Sequence, residues 1–226
     1  QVVSPMQSVI FPKFSALVAQ GKKQELIALY HKSCRWMAIL VFPVGFILIF
    51  FAKEILLLWT NNPVLSQNTA PILQVFALGT ICNCMMVIPY FYLLANGNTK
   101  FTIYQNIIAS VILVPLLFWW TSKYGAIGAS YVWLSVNAGY VLLSIPLFYK
   151  WFLVGEYKNW LLNDIAIPLI SALFLTIVIK YVQLWLLPST ILTIPYLAFL
   201  LAIMAGIYSI VIPDLRKIYK KRIFKW

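Results

Sequence analysis

Acidic residues, histidine and cysteine are scarce in this chain. Its 226 residues include five Asp and Glu, one His and three Cys, and charged residues of all kinds make up 10%. No H-E-x-x-H, G-x-S-x-G or Walker A pattern occurs. The C-x-C pair, Cys82 and Cys84, has no histidine near it in sequence to complete a zinc site. We therefore expect no catalytic residues, no metal, no cofactor and no enzymatic activity.

Apolar residues are abundant instead. They make up 63% of the chain, against about 45–50% in soluble domains, and the mean hydropathy is +0.90. A globule of this size has too little interior to bury such an excess, so much of it must face lipid. Because a strand edge in lipid leaves backbone groups unpaired, the sequence predicts an all-α, polytopic membrane bundle.

Six apolar stretches approach the roughly 20 residues that a membrane-spanning helix needs. Short polar or charged segments separate them. We predict spans over Trp36–Ala52, Ala70–Ala95, Phe101–Thr121, Gly125–Tyr149, Asp164–Leu187 and Thr190–Ile212.

The basic residues indicate an orientation. The net charge is +12, and nearly all Lys and Arg residues fall in one set of alternating segments between the spans. The positive-inside rule assigns that set to the cytoplasm. Both ends of the chain are then cytoplasmic. The bilayer accounts for the charge, so we expect no nucleic-acid partner.

The same frame predicts the organisation of the chain. Residues 1–35 form a cytoplasmic basic segment with an amphipathic surface helix over Lys22–Ser33, in which Leu26 and Tyr30 face lipid and His31 faces water. Four segments follow it: four spans over 36–149, a cytoplasmic loop over 150–163, two additional C-terminal spans over 164–212, and a polybasic tail over 213–226. We expect this tail to contact anionic headgroups.

Polar side chains inside the spans are few. Asn83, Asn106 and Asn137 lie deepest, and they either form interhelical hydrogen bonds or line a hydrophilic path. We expect Lys180 to extend its side chain to the outer surface. The five acidic residues are predicted to lie in loops or at span ends, and prolines inside the spans, such as Pro146 and Pro168, are expected to kink their helices.

Two turns between spans have a recognisable pattern. Ala95-Asn96-Gly97-Asn98-Thr99-Lys100 joins the second and third spans, and Tyr124-Gly125-Ala126-Ile127-Gly128-Ala129 opens the fourth. With Pro12 and Arg35 before them, they resemble the second half of the polysaccharide flippases, the O-antigen or Wzx-type branch of the multidrug/oligosaccharidyl-lipid/polysaccharide exporter superfamily.

The resemblance implies the second lobe of a two-lobed transporter that works by alternating access in the inner membrane of a bacterium. The cargo would be an oligosaccharide repeat unit on undecaprenyl pyrophosphate, and the missing N-terminal lobe of the same chain would be its partner. Candidate substrate-binding residues are Arg35, Lys100, Asn83, Asn106 and Asn137. Arg35 and Lys100 are also explained as positive-inside anchors, and relatives carry a second asparagine near Asn106 that this sequence replaces with apolar residues.

Other classes remain open. A drug or cation antiporter of the same superfamily would favour a membrane-buried carboxylate, which we do not expect in this half. An integral-membrane polysaccharide-modifying enzyme would favour catalytic residues in larger loops, and a scaffold without transport activity is a further alternative. We expect these 226 residues alone to transport nothing, because one lobe does not close a path.

Overall fold

The computed structural model describes the backbone of residues 3–186 and the side chains of residues 8–181. The predicted sixth span, Thr190–Ile212, and the polybasic tail lie outside the described residues. Within the described part the elements are helical: α1 (Val3–Ala19), α2 (Lys23–Phe50), α3 (Ala52–Thr60), α4 (Pro63–Ala95), α5 (Thr99–Tyr124), α6 (Ala126–Trp151) and α7, which begins at Tyr157 and continues through Ile167–Leu186.

Five of these helices are long and apolar enough to cross a membrane. Among the described residues they are α2, α4, α5, α6 and the part of α7 over Tyr157–Tyr181, with mean hydropathy between 1.5 and 2.1. A helix of 26 residues such as α5 is about 39 Å long, enough for a hydrocarbon layer of about 30 Å. The predicted all-α polytopic bundle is confirmed for this part of the chain.

The helices pack around α2 and α4. Helix α2 contacts α4 and α7, α4 contacts α6, and α5 contacts chiefly α6. Aromatic side chains fill the core where one end of several helices meets, with Tyr30 of α2 packed against Tyr92 of α4 and Phe148 of α6. Helix α5 lies at the edge of the bundle, and none of its residues is buried.

The predicted surface helix over Lys22–Ser33 is the first turns of α2 and is continuous with the first span. Leu26 and Tyr30 are buried in the protein core and do not face lipid. Their spacing of four residues continues to Cys34, so one apolar face extends along the helix. Extending an existing helix is far easier than starting a new one, and no breaker residue intervenes.

Two helices widen into π-helical segments just before a proline. In α6 the segment is Tyr140–Ser144, two residues before Pro146. In α7 it is Trp160–Ala166, two residues before Pro168. Proline has no N–H and clashes with the carbonyl four residues earlier, and a wider turn accommodates both effects. Helix α2 by contrast continues as α-helix through Pro43.

The turn between α5 and α6 needs glycine at two positions. Gly125 has φ +65°, a left-handed conformation that side chains disfavour. A Cβ on Gly128 would lie 2.2 Å from the carbonyl oxygen of Trp120, so only glycine fits unless the backbone shifts. The Tyr-Gly-x-x-Gly-Ala pattern in the sequence is therefore explained by backbone geometry.

Candidate functional site

Four charged or ionisable side chains meet where the start of α7 crosses α2. His31 Nε2 lies 3.1 Å from Glu156 Oε2, and His31 Nδ1 contacts Asp164 Oδ2. Arg35 Nε lies 3.2 Å from Asp164 Oδ1. We call His31, Arg35, Glu156 and Asp164 the His31 cluster. The side chains are graded in exposure, with Asp164 at 1%, His31 at 7%, Arg35 at 29% and Glu156 at 32%.

Helical spacing assembles this cluster. His31 and Arg35 are four residues apart and share one face of α2. Glu156 immediately precedes α7, and Asp164 lies two turns later on it. Matched charged faces on the two helices then lie against each other. Asn159 Nδ2 also donates to Glu156 Oε2 at 3.2 Å, which fixes that carboxylate.

The structure corrects two predictions at this point. His31 is not a solvated surface histidine, since its side chain is enclosed by α2 and α7. Asp164 is not in a loop or at an exposed span end. It lies within α7, which begins at Tyr157, inside the range 150–163 that we predicted as a loop. The available sequence signal was that each pair has a helical spacing, four residues for His31 and Arg35 and eight for Glu156 and Asp164, which places each pair on one face of its helix.

A second ion pair joins α7 to α3, far along α7 from the His31 cluster. Lys180 Nζ of α7 contacts Glu54 Oε1 of α3 and lies 4.6 Å from the centre of the Phe51 ring. Sixteen residues separate Asp164 from Lys180 along α7, about 24 Å of helix rise. Lys180, predicted to extend to the outer surface, is therefore held by a carboxylate, and α7 has an ion pair near each end.

Two of the candidate asparagines contact each other. Asn83 Nδ2 of α4 donates to Asn137 Oδ1 of α6 at 2.8 Å. Asn137 is 1% exposed and donates in turn to the carbonyl of Trp133 at 2.7 Å. The interhelical alternative predicted for asparagines in spans is what the structure shows for this pair.

An apolar groove opens between α5 and α6. Its volume is about 640 Å³, within the range of about 300–1,000 Å³ typical of ligand sites. Phe101, Ile108 and Leu116 line it from α5, and Gly139 and Leu143 line it from α6. It follows α5 for fifteen residues, about 22 Å of helix rise. At one end the Phe101 ring packs against Trp151, with 5.8 Å between ring centres.

Lys100 and Asn106 lie beside this groove. Lys100 is exposed and immediately precedes Phe101. Asn106 Oδ1 accepts a long hydrogen bond of 3.5 Å from the hydroxyl of Tyr140, which lines the groove. The five candidate residues are thus distributed over three places. Arg35 lies in the His31 cluster, Asn83 and Asn137 lie between α4 and α6, and Lys100 and Asn106 lie at the groove.

The arrangement defines the class of protein first. Five long apolar helices, polar side chains paired between them and a groove open at the side describe a multi-pass membrane protein. Among the described residues, no group of His, Cys, Asp and Glu side chains has the arrangement of a metal site.

A comparison of sequences finds a similarity to one family. Residues 13–119, just under half of the chain, match the MatE family model. That family belongs to the multidrug/oligosaccharidyl-lipid/polysaccharide exporter superfamily, and its members are membrane transporters rather than enzymes. No curated protein and no solved structure matches the chain significantly.

Proposed function

We propose that the protein moves an oligosaccharide linked to undecaprenyl pyrophosphate across the bacterial inner membrane by alternating access, with this chain supplying the second lobe. The MatE domain supports the transporter class. The two turns that resemble polysaccharide flippases support the branch, and the groove between α5 and α6 supports the lipid-linked cargo.

The groove is the observation that carries the proposal. The surface of its walls is almost wholly apolar, which favours a hydrocarbon chain over a hydrated or charged ligand. A soluble cationic drug would favour an acidic partner, and no Asp or Glu lines the groove among the described residues. A polyprenyl tail instead needs a long, narrow apolar track, and about 22 Å of α5 provides one.

Two lysines at one end of the groove suit an anionic headgroup. Lys100 precedes Phe101 in α5, and Lys150 precedes Trp151 in α6. Both lysines are exposed, while the two aromatic rings pack against each other. Ammonium groups are effective partners of phosphate oxygens. A pyrophosphate bound there would place the attached tail along the apolar walls.

The proposed orientation puts this end at the cytoplasmic face. The positive-inside distribution of Lys and Arg supports it, because both lysines belong to the alternating set of segments that together holds nearly all of the Lys and Arg residues. Cargo would then enter from the leaflet in which lipid-linked repeat units are assembled and leave at the outer leaflet. A sugar and pyrophosphate head needs such a path, since it cannot cross the hydrocarbon layer unaided.

A drug or cation antiporter is the second candidate. We expected no buried carboxylate in this half, but Asp164 is 1% exposed and contacts His31. Buried acidic residues within membrane helices commonly carry protons or cations. The burial of Asp164 therefore supports the antiporter, which the sequence alone did not. The experiment must distinguish a lipid-linked oligosaccharide from a drug or cation as the cargo.

The test uses the full-length parent gene in a deletion strain. We expect undecaprenyl-linked oligosaccharide to accumulate on the cytoplasmic face when the gene is lost and to clear when it is restored. Unchanged lipid-linked sugar with altered sensitivity to cationic drugs would overturn the flippase and establish the antiporter.

Restoring the gene with Gly139→Leu tests the groove itself. A Cβ at Gly139 meets nothing within 4 Å, so the larger side chain fits the fold but fills the groove. We expect clearance to fall several-fold. Val111→Phe adds similar bulk to α5 on an exposed position outside the groove and should leave clearance intact. Equal clearance by both variants would remove the groove from the cargo path.

A further inference from the structure

The His31 cluster holds more hydrogen-bond acceptors than a neutral histidine can serve. Both ring nitrogens of His31 contact carboxylate oxygens, one of Asp164 and one of Glu156. A carboxylate only accepts hydrogen bonds, and a neutral imidazole has a single N–H. The two contacts together require one proton beyond those of a neutral imidazole and two carboxylates.

From this geometry we propose that His31 is a proton-binding residue whose imidazolium clamps α7 to α2, and that release of its proton loosens the clamp. This inference goes beyond the cargo proposed above and does not depend on it. The ligand is a proton, and the element under control is the start of α7.

The charges of the cluster balance when it holds this additional proton. With the proton on the ring of His31, the imidazolium and Arg35 carry two positive charges opposite the carboxylates of Asp164 and Glu156. After loss of the proton, two carboxylates face one guanidinium and a single ring N–H. One carboxylate then faces a nitrogen lone pair, and burial makes such an unmatched contact costly.

The exposure of the side chains provides a route for the proton. The Nε2–H bond of His31 breaks, the ring nitrogen keeps the electron pair, and the proton passes to Glu156 Oε2 and then to water. Glu156 is 32% exposed, whereas Asp164 is 1% exposed. Glu156 is therefore the entry group and Asp164 the buried anchor.

Other ionisable groups around His31 do not replace it in this role. The ring of Tyr30 lies edge-on to the imidazole, with 5.5 Å between ring centres, and its hydroxyl is bound to that of Tyr149. The titratable and charged groups around the imidazole from the packed elements are Tyr30, Cys34 and Arg35 of α2, Tyr149 of α6, and Glu156 and Asp164 at α7.

The backbone of α7 is suited to respond. Asp164 lies in the π-helical segment Trp160–Ala166, and its carbonyl is four residues before Pro168, which has no N–H to offer it. The helix at this point lacks the regular backbone hydrogen bond between residues 168 and 164, and a helix interrupted in this way bends more easily than a regular one.

Nitrogen-15 NMR of histidine-labelled full-length protein in nanodiscs tests the assignment. A His31→Gln spectrum identifies the resonances of His31. In a pH series we expect both ring nitrogens of His31 to be protonated at the acid end and the ring to become neutral as the pH rises. Glu156→Gln should move this transition to lower pH. A neutral ring throughout, or a transition unmoved by Glu156→Gln, would overturn the proposal.

Thermal unfolding of the same protein separates a proton-dependent clamp from a fixed structural contact. Because the proposed clamp requires the proton, its loss should lower the melting temperature by a few degrees as the pH rises through the transition. His31→Gln should remove that dependence. A double variant, Glu54→Gln with Lys180→Gln, breaks the other ion pair of α7 and should keep it. If His31→Gln and wild type lose the same stability over this pH range, the clamp is not controlled by the proton.

Discussion

The amide of Asn83 is bound to the amide of Asn137, which lies 54 residues later in the chain, at a distance of 2.8 Å. Asn137 is buried and uses its own NH₂ group on the carbonyl of Trp133. Its Oδ1 atom therefore depends on Asn83 for a donor. This bond joins α4 to α6.

Replacing Asn83 by leucine should destabilise the protein. The substitution leaves Asn137 Oδ1 without a donor inside the bundle, at a cost of about 1–2 kcal/mol. The double variant Asn83→Leu with Asn137→Leu should lose less than the sum of the two single variants, because no polar atom is then stranded. Thermal unfolding in detergent measures this coupling.

Asn106→Leu is the matched control for that experiment. Asn106 is exposed, and its bond to Tyr140 is long, so the stability change should stay within about 0.5 kcal/mol. Additive losses for the Asn83 and Asn137 variants would contradict the pairing. A loss of transport by Asn83→Leu at unchanged stability would instead assign Asn83 to the cargo path.

The pair of Lys180 and Glu54 predicts a rescue by charge exchange. Both side chains are about one quarter exposed, so the pair is only partly screened by water. Lys180→Glu places two carboxylates together and should lower the melting temperature. Adding Glu54→Lys should recover most of the loss, because the opposite charges are restored in reversed order. A double variant no more stable than Lys180→Glu alone would show that the contact contributes nothing.

The sequence predicted the elements better than it predicted their contacts. Apolar runs located the cores of five helices, because a run of that length has to be buried or lie in lipid. The ends of the helices were predicted less well, and the predicted surface helix is the first part of α2. Helix ends depend on what packs next to them, as Tyr30 shows: its neighbours Tyr92 and Phe148 come from helices far away in the chain.

The His31 cluster shows why site prediction stopped where it did. Asp164 is 133 residues after His31, and nothing in either segment specifies that α7 packs on α2. Without that pairing, a lone histidine among lysines is indistinguishable from a surface residue. The sequence predicted the asparagine pair only as one of two alternatives. Asparagine is suited both to hydrogen bonding between helices and to lining a hydrophilic path, so the residue type does not distinguish them.

The hydroxyl pair of Tyr30 and Tyr149 predicts a non-additive effect. The two oxygens are 2.7 Å apart, and both residues are buried. Tyr30→Phe leaves the partner hydroxyl with one bond fewer and should cost about 1–2 kcal/mol. The double variant Tyr30→Phe with Tyr149→Phe should lie close to wild type, since both polar atoms are gone and the rings still fill the core. Tyr131→Phe, at a half-exposed position, should change little. Two additive single losses would argue against the bond.

The junction of α5 and α6 predicts opposite effects for the same substitution at two glycines of α6. In Gly128→Ala the new methyl group would lie 2.2 Å from the Trp120 carbonyl oxygen. Because backbone must move to admit it, we expect a loss of about 1–3 kcal/mol. In Gly139→Ala the methyl group meets nothing within 4 Å, and alanine loses less backbone entropy in a helix, so stability should rise by up to about 1 kcal/mol. Thermal unfolding of the two variants side by side measures both. If they shift the melting temperature in the same direction, the close approach of α6 to the end of α5 is not what selects glycine in this turn.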